Sequence, residues 1–161
     1  MQHLDPAAQL AAKQSELAES LSRIGRVEPE RWLEPLAGPV WNYRRRARLG
    51  AKWVPKRERV LVGFRERQKP YIAALERCEV LAAPLDGLIT PLSQLLTTLD
   101  ARTSIPQIEA AVGDDGVLLV FRHLAELSEA DRAGLLEFGR VYSVRIDRKS
   151  TRLNSSHVSE S

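Results

Sequence analysis

Tyr43-Arg44-Arg45-Arg46-Ala47-Arg48-Leu49-Gly50-Ala51-Lys52-Trp53 joins a strand-like alternation to a dense run of positive charge. Successive side chains on a strand point to opposite faces. Taken two apart, Tyr43, Ala47, Leu49, Ala51 and Trp53 share one face, with Arg45 as an intruder, and Arg44, Arg46, Arg48 and Lys52 share the other. One face is suited to burial; the other is a cationic ladder. Its rungs stand about 6.6 Å apart, a spacing from which guanidinium groups reach a phosphodiester backbone or a row of acidic side chains. The planar arginine fork pairs bidentately with phosphate.

Charge elsewhere in the chain sharpens the contrast. From Trp41 to Lys69 there are eleven Lys/Arg against Glu58 and Glu66, so this segment carries +9 while the whole chain of 161 residues carries +3. The remaining 132 residues are therefore acidic on balance, at −6. Basic charge concentrated in one segment of a mildly acidic protein is the footprint of a polyanion-binding face. The competing reading is an ordinary solvated strand face.

The length suffices for one domain with a real core, and 43% hydrophobic with 28% charged residues is ordinary globular composition. No apolar run approaches the roughly 18 residues of a membrane span, and the N-terminus lacks a signal-peptide pattern. The expectation is a cytoplasmic protein with no membrane attachment. A single cysteine, Cys78, excludes an internal disulfide framework and fits a reducing compartment.

Outside the ladder, Asp5-Pro6 predicts a helix start and Gly25 its stop, with Leu10, Leu17, Leu21 and Ile24 at helical spacing. Arg26 to Val40, holding Pro29, Pro35 and Pro39, reads as an irregular connection. The basic strand, a turn at Pro55 to Glu58 and a second strand from Arg59 to Arg65 predict a hairpin, and Tyr71 to Leu75 a third strand. Leu85, Leu88, Ile89, Leu92, Leu95, Leu96 and Leu99 form the stripe of a core helix, with Pro91 marking a kink or a later start. Gly113-Asp114-Asp115-Gly116 predicts a second hairpin between Ile105 to Val112 and Val117 to Arg122. Ser128 opens a further helix to Gly139, and Val141 to Ile146 alternates as a last strand. Hairpins interleaved with helices predict an α+β fold, an antiparallel sheet flanked by helices. The expected organisation is a leading helix over 1–25, a domain over 26–146 and a foreign tail over 147–161. That tail, from Asp147-Arg148-Lys149-Ser150 onward, resembles the frame translation of a sequencing-library adaptor, which implies a reading frame that originally continued past Ile146.

Tyr43-Arg44-Arg45-Arg46-Ala47-Arg48-Leu49, Val62-Gly63-Phe64-Arg65 and Cys78 with Val80-Leu81 together resemble the bacterial 23S ribosomal RNA (uracil-5-)-methyltransferases of the RlmD type. The resemblance continues through Val112-Gly113-Asp114-Asp115-Gly116, Leu119-Val120-Phe121-Arg122-His123 and Leu127-Ser128-x-x-Asp131-Arg132, and covers Gln2 to Ile146. It implies an RNA-binding central domain, lying in the parent enzyme between an N-terminal TRAM barrel and a C-terminal domain that binds S-adenosylmethionine and carries the catalytic cysteine. Ribosomal RNA is the implied partner, DNA is not, and the protein is expected as a monomer. The fragment itself is expected to be inactive, since neither a glycine-rich cofactor loop nor the nucleophile context of the family is present. The RNA-binding residues expected are Arg44, Arg46, Arg48 and Lys52.

By itself, a lone cysteine is most often a small buried hydrophobe. The resemblance implies instead that Cys78 is the fourth ligand of a [4Fe-4S] cluster, whose other three ligands lie in a C-x5-C-x2-C pattern before the residues matching Gln2-His3. Glu79 departs from the family, which usually has proline there. His3, His123 and His157 are too scattered for a metal site or a triad, and His123 reads as a local hydrogen-bonding residue. Trp32, Trp41, Trp53, Tyr43 and Phe64 are candidates to stack on unpaired bases. Trp53 and Phe64 fall on apolar strand faces, which leaves Trp41 as the stacking residue expected. A sister enzyme acting on transfer RNA or another ribosomal position shares the Y-R-x-R-x-R-L strand, and a free-standing basic module that docks an acidic protein is a reading of another class.

Overall fold

A computed structural model describes residues 4–66 and 71–150. His3, His157, Lys69 and the tail from Thr151 onward lie outside the described residues. The chain divides after Val40 into two compact units.

In the first unit the Asp5 carboxylate accepts from the Ala8 amide at 3.0 Å, Pro6 takes the first helical position, and helix α1 runs Pro6–Ser20. A wider turn, Leu21–Gly25, follows and closes at Arg26 with φ 51°. None of the residues of α1 is buried, and Leu17 and Ile24 are exposed. Arg26 to Val40 forms no helix or strand, as its prolines dictate.

The second unit is a five-stranded sheet. Its strands are β1 (Arg46–Val54), β2 (Arg59–Gly63), β3 (Gln107–Gly113), β4 (Gly116–His123) and β5 (Val144–Ser150), in spatial order β2-β1-β3-β4-β5. All neighbours are antiparallel except β4 and β5, which are parallel. Helix α2 (Ile89–Thr98) packs on β2, and helix α3 (Glu129–Val141) packs on β5. The fold is therefore α+β, with a mostly antiparallel open sheet.

The alternation of each strand puts one row into the core. Ala47, Leu49, Ala51, Val60, Val62, Ile108, Leu119 and Phe121 are buried with Leu92, Leu96 and Leu135 of the helices. Burial of large side chains at this level contributes about 1.5–3 kcal/mol each. Pro91 stands in the first turn of α2, so the later start is the correct one of the two readings. Gly116, at φ 129°, completes the two-residue turn between β3 and β4. Ser128 caps α3 by accepting from the Asp131 amide at 3.0 Å.

Three expectations are corrected. Tyr71 to Leu75 forms no strand; only Ile72 bridges, to Arg65. The outward edge of β2 is instead met by α2, with Thr97 Oγ1 accepting from the Val60 amide at 2.9 Å and Ser93 donating to the Val60 carbonyl. The last strand starts at Val144, is parallel to β4, and pairs through Ser150 with His123, past the expected end at Ile146. A parallel partner follows because a helix separates β5 from β4, and the ladder uses main-chain groups whatever side chains follow. The first strand begins at Arg46 rather than Tyr43, because Asn42 takes a left-handed φ of 56° and Arg44 pairs with Leu81.

Candidate nucleic-acid interface

The sheet face turned away from the core is set by register. On β1 it carries Arg46, Arg48 and Lys52; Arg46 faces Ala111 and Arg48 faces Glu109 of β3. Ala111 and Glu109 in turn face Leu118 and Val120 of β4, and Leu118 faces Arg145 of β5. Arg44, Arg46, Arg48, Glu109, Ala111, Leu118 and Val120 line a hollow of about 500 Å³. Its rim is cationic and its floor aliphatic.

Arg44, Arg46, Arg48 and Lys52 are all exposed. The structure gathers the first three around the hollow. Lys52 stands beyond it, opposite Leu61 of β2. Arg44 is held by its Nε, which donates to the Arg46 carbonyl at 3.0 Å, and by stacking of its guanidinium over Phe64 at 5.0 Å. Trp41 is 46% exposed and precedes the strand; it does not line the hollow. Trp53 and Phe64 are half-buried against the core.

Arg45 and Tyr43 depart from the expected buried face. Both are exposed, and Arg45 Nη2 donates to the Asp114 carboxylate of the β3–β4 turn at 2.7 Å. The Arg45 carbonyl still accepts from the Val112 amide of β3 at 2.7 Å, but its side chain reaches the β3–β4 turn instead of the core.

Glu109 and its partner Arg122 are not marked as site residues by the sequence. Arg122 Nε donates to Glu109 Oε1 at 2.6 Å, Gln107 Nε2 donates to the same oxygen at 3.1 Å, and Arg48 Nε lies 4.0 Å from it. Arg48, Glu109 and Arg122 sit on β1, β3 and β4, so their convergence depends on a strand order that no local pattern states. The apolar character of both faces of β4, Val117 to Phe121, was the available signal that the second face has a floor.

Cys78 is half-buried against the core, its amide 3.4 Å from the Asp86 carbonyl. Arg77 pairs with the buried Asp86 carboxylate at 2.5 Å beside it. No group of three or more His, Cys, Asp and Glu able to hold a metal occurs among the described residues. The chain has one cysteine, so its residues do not complete a [4Fe-4S] site. His123 Nδ1 lies 2.8 Å from the Ala125 carbonyl, a local contact as expected. Among the described residues no helix is long and apolar enough to cross a membrane.

No protein-family model matches the chain. The 23S rRNA (uracil(1939)-C(5))-methyltransferase RlmD of Nitrosococcus oceani is 49% identical to it over 147 residues, 91% of the chain and 33% of that protein. The chain is a relative of the RlmD methyltransferases. The RlmD of Alcanivorax borkumensis is likewise 49% identical, over 86% of the chain and 31% of its own length, and that of an Acidovorax species 46% identical, over 90% and 30%. The chain thus spans about a third of the length of the RlmD proteins it matches.

Proposed function

We propose that this chain is the RNA-binding central domain of an S-adenosylmethionine-dependent 23S rRNA uracil-C5 methyltransferase, and that it has no methyltransferase activity alone. The observation that carries the reading is the juxtaposition of Arg44, Arg46 and Arg48 around one hollow, on an exposed sheet face. RlmD relatives supply the substrate class by their names. The face acts by electrostatics: each arginine offers donors in a fixed fork to a phosphate, and Lys52 extends the row as a point charge. Cys78 would hold one corner of an iron-sulfur cluster in the parent enzyme, and S-adenosylmethionine would bind outside this chain. Cytoplasmic location and a monomeric state belong to the same proposal.

The test is the salt dependence of binding to structured ribosomal RNA. Affinity should fall steeply with salt, and replacing Arg44, Arg46, Arg48 and Lys52 with alanine should reduce the slope of log K against log salt by about 0.7 to 0.9 per charge. Equal slopes for wild type and the fourfold variant would reduce the ladder to a solvated surface. Preferential binding to an acidic protein over RNA would favour an interaction module instead.

A further inference from the structure

A row of phosphate-binding arginines needs no floor, yet this one has one. Ala111, Leu118 and Val120 lie beside Arg44, Arg46 and Arg48, and Leu118 is 37% exposed. A phosphate gains nothing from aliphatic surface; the flat face of an unstacked base does. The volume of about 500 Å³ falls within the range of about 300 to 1,000 Å³ typical of small-ligand sites.

The lining also contains one acid. Glu109 is out of place on a face that attracts a polyanion, and its carboxylate is fixed there. Arg122 and Gln107 both donate to Oε1. A carboxylate has roughly four acceptor positions and no donor, so these two bonds occupy one oxygen and leave the other to accept. A group that only accepts discriminates among bases. Guanine presents two adjacent N–H donors on its pairing edge, whereas uracil presents a single N–H between two carbonyl acceptors.

We infer that the hollow between β1 and β4 is a nucleotide subsite for a single-stranded stretch of RNA, selective for guanine over uracil. The phosphate lies on Arg44, Arg46 and Arg48, the base lies over Leu118 and Val120, and Glu109 accepts from the base edge. Arg122 acts through Glu109 as a positioning residue. The subsite rests on the RNA-binding reading above and adds a base preference that a charged ladder alone cannot have.

Fluorescence anisotropy of the whole chain with labelled oligouridine dodecamers, each carrying a single central guanosine, adenosine, cytidine or uridine, separates the two. The guanosine oligonucleotide should bind about fivefold more tightly than oligouridine, the lower end for a base contact, because one carboxylate oxygen is available rather than two. In Glu109→Gln, whose amide can donate as well as accept, the four should converge to within about twofold. The three oligonucleotides without guanosine should also bind more tightly than to wild type, since a negative charge has left the face, whereas the guanosine one loses its carboxylate contact. Equal affinities in the wild type, any other base preferred, or a guanosine preference that survives Glu109→Gln would overturn the subsite while leaving the phosphate ladder intact. Loss of all salt-dependent RNA binding would overturn the ladder and the subsite together.

Discussion

Gly50 of β1 stands directly opposite Gly63 of β2, and the chain that leaves β2 crosses back over this pair. A Cβ on Gly50 would lie 3.0 Å from Cδ1 of Ile72, and one on Gly63 would overlap the carbonyl oxygen of Ala73. The two glycines thus let a second layer of backbone cover one end of the sheet face. Phe64, which leads into that crossing, supports Arg44. Space rather than backbone conformation is what these positions require.

The pair should therefore respond unequally to substitution. Gly63→Ala meets backbone, which cannot move alone, and should cost about 1–3 kcal/mol as an overpacked site does. Gly50→Ala meets the end of a flexible isoleucine and should cost less. Urea unfolding of the two variants checks the order; equal midpoints would mean that the crossing segment does not sit on Gly63.

Asp131 makes a second structural prediction. Its buried carboxylate accepts from the amides of Asp100 at 2.8 Å and Ala101 at 3.2 Å, tying α3 to the turn after α2. Asp131→Ala strands both donors; the amides are only partly buried, so the loss should lie near the lower end of the about 1–3 kcal/mol that a buried unsatisfied group costs. Asp131→Asn keeps one acceptor oxygen and should lose less. Thermal melts with equal midpoints for the two variants would contradict this account.

How far the sequence alone reaches follows the range of each interaction. The β1–β2 and β3–β4 hairpins were legible, because a period of two and a short turn are local signals, and so were the caps at Asp5 and Ser128. The path of Tyr71 to Leu75 was not: its residues suit a strand, but the free side of β2 is occupied by Thr97 and Ser93, some 33 to 37 residues away. The parallel placement of β5 was hidden for the same reason, since Val144 to Ile146 alternates equally well beside either edge. At the site the ladder itself could be read from Arg44, Arg46 and Arg48. Glu109 could not be placed among them without knowing that β3 lies between β1 and β4.

Arg45 stands apart from the buried face on which the alternation puts it. It is exposed and paired with Asp114, itself exposed, in a two-residue turn. Exposed pairs of this kind contribute about 0–1 kcal/mol. Arg45→Ala should therefore leave unfolding almost unchanged while removing one cation near the ladder. A loss of stability well above that range would mean that Arg45 supports the β3–β4 turn.

The loop after Cys78 is bound directly to the start of the ladder. The Asn42 amide donates to the Glu79 carbonyl and the Arg44 amide to the Val80 carbonyl, both at 2.8 Å, and the Ala82 amide returns to the Arg44 carbonyl at 3.0 Å. Whatever fixes Cys78 therefore also fixes Arg44. This chain, with one thiol, should purify colourless and free of iron. A longer form carrying three further cysteines upstream should be brown, and Cys78→Ser in that form should lower its iron content. In the longer form the same change should also weaken RNA binding, because the loop that holds Arg44 loses its anchor, whereas Arg44→Ala should weaken RNA binding and leave iron in place. Iron content untouched by Cys78→Ser would remove Cys78 from the ligand set. Iron lost with RNA affinity preserved would show that the backbone pairing at Arg44 stands without it.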